Sequence, residues 1–298
     1  MLWKIAIVLA ACCGMALADD TASTTSATTE PPDKWQYWLF NPVPTDDLRG
    51  MDTDRPNKTN TPHTIDAGHL QIETGIFDYD YYRDEYQGAD ARMESLDLGQ
   101  FNFRLGILDD LELNVIVNSF DFFRNTDYVA NQSTRQTGFG DTVVGGKLNL
   151  WGNESGDEVW ATALGIQPQF KIPTAIQNIG NGYPELFVGF PFLMNLPAGF
   201  HLGLEPTISW ERNSTDTGDV TGWQNSISVD RVVIGNFDVY LEYWMHVSTE
   251  RHQESQQTMD IGFTYPVTDN IVLDTGANIG LNKASDTLEW VAGISVRF

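Results

Sequence analysis

The chain has 298 residues, of which 41 are acidic and 17 are Lys or Arg, and its formal net charge is −24. This acidity argues against a nucleic-acid partner, because a nucleic-acid-binding protein needs a basic face. After the first 18 residues the sequence has no run of 18 or more apolar residues, so it predicts no membrane-spanning helix.

The first 18 residues have the layout of a secretory signal peptide. Lys4 precedes an apolar stretch over residues 5–13, and Ala16-Leu17-Ala18 offers a cleavage site. We therefore predict that residues 1–18 are removed on export. An alternative stays open, because Leu9-Ala10-Ala11-Cys12 resembles a lipobox in which Cys12 is lipidated. Cleavage after Ala18 leaves a mature chain without cysteine, which excludes disulfides and thiolate zinc sites.

Two irregular segments follow the predicted signal. Residues 19–34 are rich in Thr, Ser and Ala and contain Pro-Pro, which predicts a disordered linker. Residues 35–63 have no steady period but contain an aromatic cluster: Trp35, Tyr37, Trp38 and Phe40. We hypothesise that this cluster folds back as a plug into the periplasmic mouth of a β-barrel, the structure that the residues after it predict. The alternative is that it lies loosely in the periplasm.

From about residue 65 onward, apolar and polar residues alternate with the period of two that indicates β-strands. In the last segment the alternating apolar set is Leu288, Trp290, Ala292, Ile294, Val296 and Phe298. The segments are about ten residues long, which a tilted strand needs to cross a bilayer, whereas globular strands have five or six. The polar set is rich in Gly, Asp, Glu, Asn and Ser, which suits a water-lined lumen. The pattern predicts an all-β protein, an antiparallel transmembrane β-barrel over residues 64–298.

The number of strands and their connections agree with a barrel of the bacterial outer membrane. We predict about twelve strands, an even number as in single-chain bacterial barrels. Their predicted ranges are 66–82, 94–106, 111–123, 139–150, 158–172, 184–195, 199–212, 223–234, 237–249, 257–266, 270–281 and 287–298. Long and short connections alternate, which predicts extracellular loops at one end and both termini in the periplasm.

Several motifs resemble a known family. Residues 51–59 (MDTDRPNKT) and 64–73 (TIDAGHLQIE) resemble the opening motif of the family "putative MetA-pathway of phenol degradation". Further matches are residues 138–141 with Lys147, and the stretch from residue 265 to the end, so the resemblance covers roughly residues 40–298. It implies an outer-membrane transporter of small, aromatic or apolar compounds. The C-terminal alternation is similar to the assembly signal of outer-membrane barrels, which implies the barrel assembly machinery as a partner through Phe298.

A closed sheet in lipid encloses a lumen, because backbone polar groups in hydrocarbon must be satisfied internally. Ten residues are our candidates for the lumen lining: Glu73, Arg104, Glu112, Asp141, Lys147, Glu205, Glu242, His246, Asp274 and Arg297. Their acid excess favours a mild cation preference. The alternative is that these charges pair across the lumen and fill it.

The sequence supports a passive outer-membrane channel for small solutes, with the lipid bilayer as its surroundings and no catalytic, metal or cofactor-binding residues. The first alternative is a structural or surface-interaction barrel with a closed lumen. A second is a lumen-facing enzyme, because Glu242, His246 and Ser248 share one predicted strand face. The sequence contains no nucleophile elbow, zinc-protease motif or phosphate loop.

Overall fold

A computed structural model of the protein describes residues 34–84, 90–154, 156, 158–176 and 179–298. The predicted signal peptide, the lipobox cysteine and almost all of the predicted linker lie outside these residues. The strands are β1 (Leu70–Asp84), β2 (Ala91–Gly106), β3 (Leu111–Asp127), β4 (Gln132–Gly138), β5 (Thr142–Trp151), β6 (Thr162–Ile172), β7 (Glu185–Gly189), β8 (Phe192–Leu196), β9 (Phe200–Arg212), β10 (Asp219–Ile234), β11 (Phe237–Ser248), β12 (Gln256–Thr268), β13 (Ile271–Gly280) and β14 (Leu288–Arg297). The described residues also contain two short 3-10 helices, Thr45–Asp47 and Pro197–Gly199.

These strands form one antiparallel sheet that closes on itself, since β1 pairs with both β2 and β14, and β10 pairs with both β9 and β11. Two of the barrel strands are interrupted. β4 and β5 both pair with β3, and β7 and β8 both pair with β6 and β9. Pro191 lies in the second interruption, where its missing N–H cannot contribute to the ladder. The wall therefore has twelve strands, which confirms the predicted barrel.

The side chains are distributed in the reverse of a soluble protein. In β13, Asp274 and Asn278 are buried inside, whereas Leu273 and Ile279 are 42% and 47% exposed on the outer face. β14 follows the same rule, with Ser295 buried and Trp290 exposed. An outer face of Leu, Ile, Phe and Trp is stable only against lipid. Among the described residues, no helix is long and apolar enough to cross a membrane.

One predicted loop is wrong. The predicted strands 111–123 and 139–150 leave residues 124–138 as a long connection. In the structure β3 continues to Asp127 and β4 begins at Gln132, so only residues 128–131 turn the chain. The two strands project from the barrel as a hairpin in which every residue of β4 but the last is exposed. Such a polar hairpin has no buried face, so hydrophobic alternation does not reveal it.

The other connections keep most of the predicted alternation in length. One end of the barrel carries the connections 107–110, 197–199, 235–236 and 269–270, and β5 ends there. The opposite end carries the connections 128–131, 213–218, 249–255 and 281–287, and β1 and β6 end there. We refer to these as the short-turn end and the long-loop end. The assignment of the short-turn end to the periplasm stays a prediction.

A charge on the outer face at mid-strand should destabilise the barrel. Ile261 is 42% exposed and pairs with Leu241 and Ala277 on the neighbouring strands. We expect Ile261→Arg to lower the free energy of unfolding by about 2–4 kcal/mol, the cost of an arginine near the bilayer midplane. Urea titration in liposomes, followed by heat-modifiable gel migration, measures it. Thr215→Arg, in a connection, is the control, and equal stability of the two variants would contradict a lipid-facing Ile261.

Candidate functional site

Residues 49–66, which we call the inner segment, run through the lumen in contact with the barrel wall. Backbone amides of this segment donate hydrogen bonds to carboxylates on four strands. The pairs are Asp54–Glu73, Lys58–Glu242, Asn60–Glu205 and Ile65–Glu112, with nitrogen-to-oxygen distances of 3.1, 2.8, 2.6 and 2.9 Å. A carboxylate acceptor makes such bonds stronger than those between neutral groups. The wall carboxylates thus satisfy a backbone that forms no strand of its own.

A buried ionic cluster joins the inner segment to β1, β2, β3 and β5. The guanidinium of Arg104 lies 2.8 Å from an oxygen of Glu73 and 2.8 Å from an oxygen of Glu112. The ammonium of Lys147 lies 2.7 Å from Asp54 of the inner segment. Arg104, Lys147, Glu73 and Glu112 have at most 1% of their surface exposed. Each charge therefore depends on its partners, because water does not reach it.

The inner segment also supplies cations to the neighbouring acidic wall formed by β12, β13 and β14. Lys58 Nζ lies 3.2 Å from Glu289 and 3.6 Å from Asp260, and a guanidinium nitrogen of Arg55 lies 3.2 Å from Asp274. The acid excess that the sequence placed in the lumen is thus partly neutralised by a segment outside the strands. In this part of the lumen the charges are paired, as in the alternative to an open charged pore.

The two flanks of the inner segment are anchored at the short-turn end. Arg49 forms ion pairs with Asp109 and with Glu154, the latter at 2.5 Å, and Lys34 lies 3.0 Å from Asp66. Lys34 and Asp66 are almost completely buried. These contacts fix the point at which the chain enters the lumen before it turns into β1.

Glycines on the wall make room for the inner segment. A Cβ atom at Gly106 would lie 2.5 Å from the carbonyl oxygen of Ile65, and one at Gly293 would lie 2.6 Å from Nε of Arg55. Both distances are shorter than real contacts. At Gly106 the backbone of the segment requires glycine, whereas at Gly293 the side chain of Arg55 would have to shift. The sequence analysis missed these residues, since a single sequence does not distinguish them from other strand glycines.

The structure buries eight of the ten candidate lumen residues. These are Glu73, Arg104, Glu112, Lys147, Glu205, Glu242, Asp274 and Arg297. The other two are half-buried and lie apart from the ionic cluster. Asp141 lies 3.7 Å from Lys171, and His246 lies 3.0 Å from Glu211.

Glu242, His246 and Ser248 do not form a catalytic arrangement. Both oxygens of Glu242 accept hydrogen bonds from the inner segment, one from the Lys58 amide and the other from the Thr59 hydroxyl. The ring of His246 bonds to Glu211 instead. Glu242, His246 and Ser248 therefore lie on one face of β11 but do not form a hydrogen-bonded group.

The part of the N-terminal region that enters the lumen differs from the one we expected. Among the four aromatic residues of the plug hypothesis, Trp35, Trp38 and Phe40 are 71%, 47% and 77% exposed, and Tyr37 is half-buried. The polar residues after them occupy the lumen. The physical reason is that the wall offers charged acceptors and donors, which satisfy backbone amides but not aromatic rings.

Cavities lie on either side of the inner segment. At the short-turn end a cavity of about 490 Å³ is lined by the segment and by wall residues that include His201, Asp230 and Tyr240. Toward the long-loop end, a cavity of about 190 Å³ contacts Lys58 and Trp244. A third, of about 420 Å³, opens beyond it at the hairpin of β1 and β2. The inner segment thus occupies the space between them.

A comparison with known protein families shows which family the chain belongs to. Residues 53–298 match the family described as "Putative MetA-pathway of phenol degradation". The chain belongs to this family. The match confirms the resemblance seen in the motifs and includes the ionic cluster from Asp54 onward. No curated protein matches this member of the MetA-pathway family.

Solved structures similar to this MetA-pathway family member are outer-membrane barrels. An outer membrane channel from Pseudomonas putida F1 aligns with a TM-score of 0.55 and 12% identity, covering 77% of this chain and 94% of that one. The transport unit of the autotransporter AIDA-I from Escherichia coli aligns with a TM-score of 0.51 and 12% identity, covering 83% of this chain and 92% of that one. The fold and the apolar outer face place the protein in the bacterial outer membrane.

Removing Arg104 should destabilise the barrel strongly. Arg104→Met leaves Glu73 and Glu112 buried without their shared cation, so we expect a loss of about 3–5 kcal/mol in the free energy of unfolding. Arg83→Met is the matched control, because the Arg83–Asp90 pair is exposed and should contribute less than about 1 kcal/mol. Urea titration in liposomes compares the two variants. Similar midpoints would show that the cluster carries little stability.

Proposed function

We propose that the protein is a passive outer-membrane channel for small aromatic or other weakly polar solutes, and that the inner segment keeps its lumen closed at rest. The observation that carries this proposal is the position of the inner segment between cavities at the two ends of the barrel. A closed barrel provides the route, and displacement of the segment provides the opening.

The family description and the size of the cavities support this solute class. The family is described by the degradation of phenol, a small aromatic alcohol. The cavity at the short-turn end, of about 490 Å³, falls within the range of about 300–1,000 Å³ typical of small-molecule sites. Its lining combines Phe192, Leu193 and Tyr240 with polar groups, which suits a molecule with an apolar ring and one polar substituent.

Opening requires only part of the inner segment to move. The flank at Arg49 and Lys34 is held by ion pairs at the short-turn end. Residues 58–60 are held by hydrogen bonds to Glu205, Ser226 and Glu242 and by the ion pairs of Lys58, whose side chain is 24% exposed. These residues line the cavities at the two ends, so water can replace their contacts, whereas the cluster around Arg104 is fully buried. Residues 58–60 are therefore the part that we expect to leave the wall.

A second candidate function is a structural or surface-interaction barrel whose lumen stays filled. The fully buried ionic cluster around Arg104 favours it, because separating those charges is costly. The two functions differ in one property. A channel requires the inner segment to move, whereas a structural barrel does not.

A reversible cross-link tests whether movement is required. The side-chain oxygens of Thr59 and Ser226 lie 2.7 Å apart, so cysteines at these positions are well placed to form a disulfide. The native cysteines, Cys12 and Cys13, lie in the predicted signal peptide. We expect Thr59→Cys/Ser226→Cys, in vesicles with lipopolysaccharide in the outer leaflet, to take up labelled phenol when reduced and to stop when oxidised.

The single variant Ser226→Cys is the matched control, and its uptake should not respond to the oxidant. Phenol uptake that is the same before and after cross-linking would contradict the gating role of the inner segment. Uptake no faster than in protein-free vesicles in either state would favour the structural barrel.

A further inference from the structure

A group of carboxylates lies in the lumen toward the long-loop end, beyond the ionic cluster. Asp78 and Asp80 are on β1, and Glu289 is on β14. One carboxylate oxygen from each lies within 4.8 Å of the other two. Asp80 is directly opposite Glu289 in the sheet, and Asp78 is directly opposite Asp97 on β2. Like charges in directly opposed positions destabilise a sheet, so this arrangement calls for a cation.

A buried neutral oxygen next to these carboxylates points to the kind of cation. Asn278 is 3% exposed, and its amide nitrogen donates to Glu289 at 2.6 Å. Its carbonyl oxygen is buried and has no hydrogen-bond partner among the residues that the structure describes. Asn278, Asp80 and Glu289 line the same cavity of about 190 Å³. A buried amide oxygen without a donor is costly unless it meets a cation or a donor from outside the protein.

The protein's own cation at this place is Lys58 of the inner segment. Its ammonium lies 3.2 Å from Glu289 and also forms an ion pair with Asp260. One oxygen of Asp80 accepts a hydrogen bond from Ser95 at 2.7 Å, whereas one oxygen of Asp78 is buried without a hydrogen-bond partner in the described part of the chain. Lys58 thus leaves much of the negative charge of this group unmatched.

We propose that Asp78, Asp80, Glu289 and Asn278 form a binding site for a divalent cation of the Ca²⁺ type. All four ligands are oxygens, three of them carboxylate and one carbonyl, which hard cations prefer. The three carboxylate oxygens, within 4.8 Å of one another, fit around one ion, because Ca²⁺ binds its oxygens at about 2.3–2.6 Å. Asn278 is adjacent to them through its hydrogen bond to Glu289. The ion shares Glu289 with Lys58, so its binding competes with that ammonium. This site is independent of the proposed solute.

Terbium luminescence tests the site on the full-length protein in detergent, purified free of lipopolysaccharide. Tb³⁺ replaces Ca²⁺ at oxygen sites, and Trp244 in the wall of the same cavity can sensitise its emission. We expect saturable emission that Ca²⁺ displaces. The double variant Asp78→Asn/Glu289→Gln should weaken Tb³⁺ binding at least tenfold. Asp230→Asn, which alters a lumen carboxylate near the short-turn end, should leave it unchanged.

Competition with Lys58 gives a second readout that loss of folding cannot imitate. Lys58→Gln removes the ammonium next to Glu289, so we expect Tb³⁺ and Ca²⁺ to bind several-fold more tightly than in the unaltered protein. Heat-modifiable migration verifies that each variant is folded. Emission that does not saturate, equal affinity in the double variant, or unchanged affinity in Lys58→Gln would each overturn the site.

Discussion

The structure depends on the neutralisation of charges that the barrel wall places out of reach of water. Arg104 joins Glu73 to Glu112, and Lys147 reaches Asp54 of the inner segment. These groups are stable as ions only when every one of them has a partner. The inner segment supplies one of the partners. It is therefore as much a part of the folded barrel as the strands.

The same constraint shapes how a solute could pass. The ionic cluster holds residue 54 of the inner segment with fully buried charges. Residues 58–60 are held by hydrogen bonds to Glu205, Ser226 and Glu242 and by the partly exposed ammonium of Lys58. A path that opens along β9, β10 and β11 leaves the cluster intact. The Lys58 ammonium lies beside Glu289, so the proposed cation site is next to the part of the segment that we propose to move.

The barrel could be predicted from the sequence because the alternation of apolar and polar residues within each strand shows which face meets lipid and which faces the lumen. Leu273 and Ile279 alternate with Asp274 and Asn278, and this local pattern is sufficient to assign the outer and inner faces. The course of the inner segment could not be predicted. Its contacts, such as Asn60 with Glu205, join residues far apart in the sequence, and its polar residues have no period. The hairpin of β3 and β4 was missed for a related reason, since strands in water need no apolar face.

Hydrogen exchange of the inner segment tests the central claim most directly. The backbone amides of Asp54, Lys58, Asn60 and Ile65 donate to buried or nearly buried wall carboxylates. Mass spectrometry of the protein in detergent should therefore find that peptides covering residues 54–65 exchange much more slowly than a free peptide of the same sequence. Exchange as fast as that of a free peptide of the same sequence would show that the inner segment does not neutralise the wall.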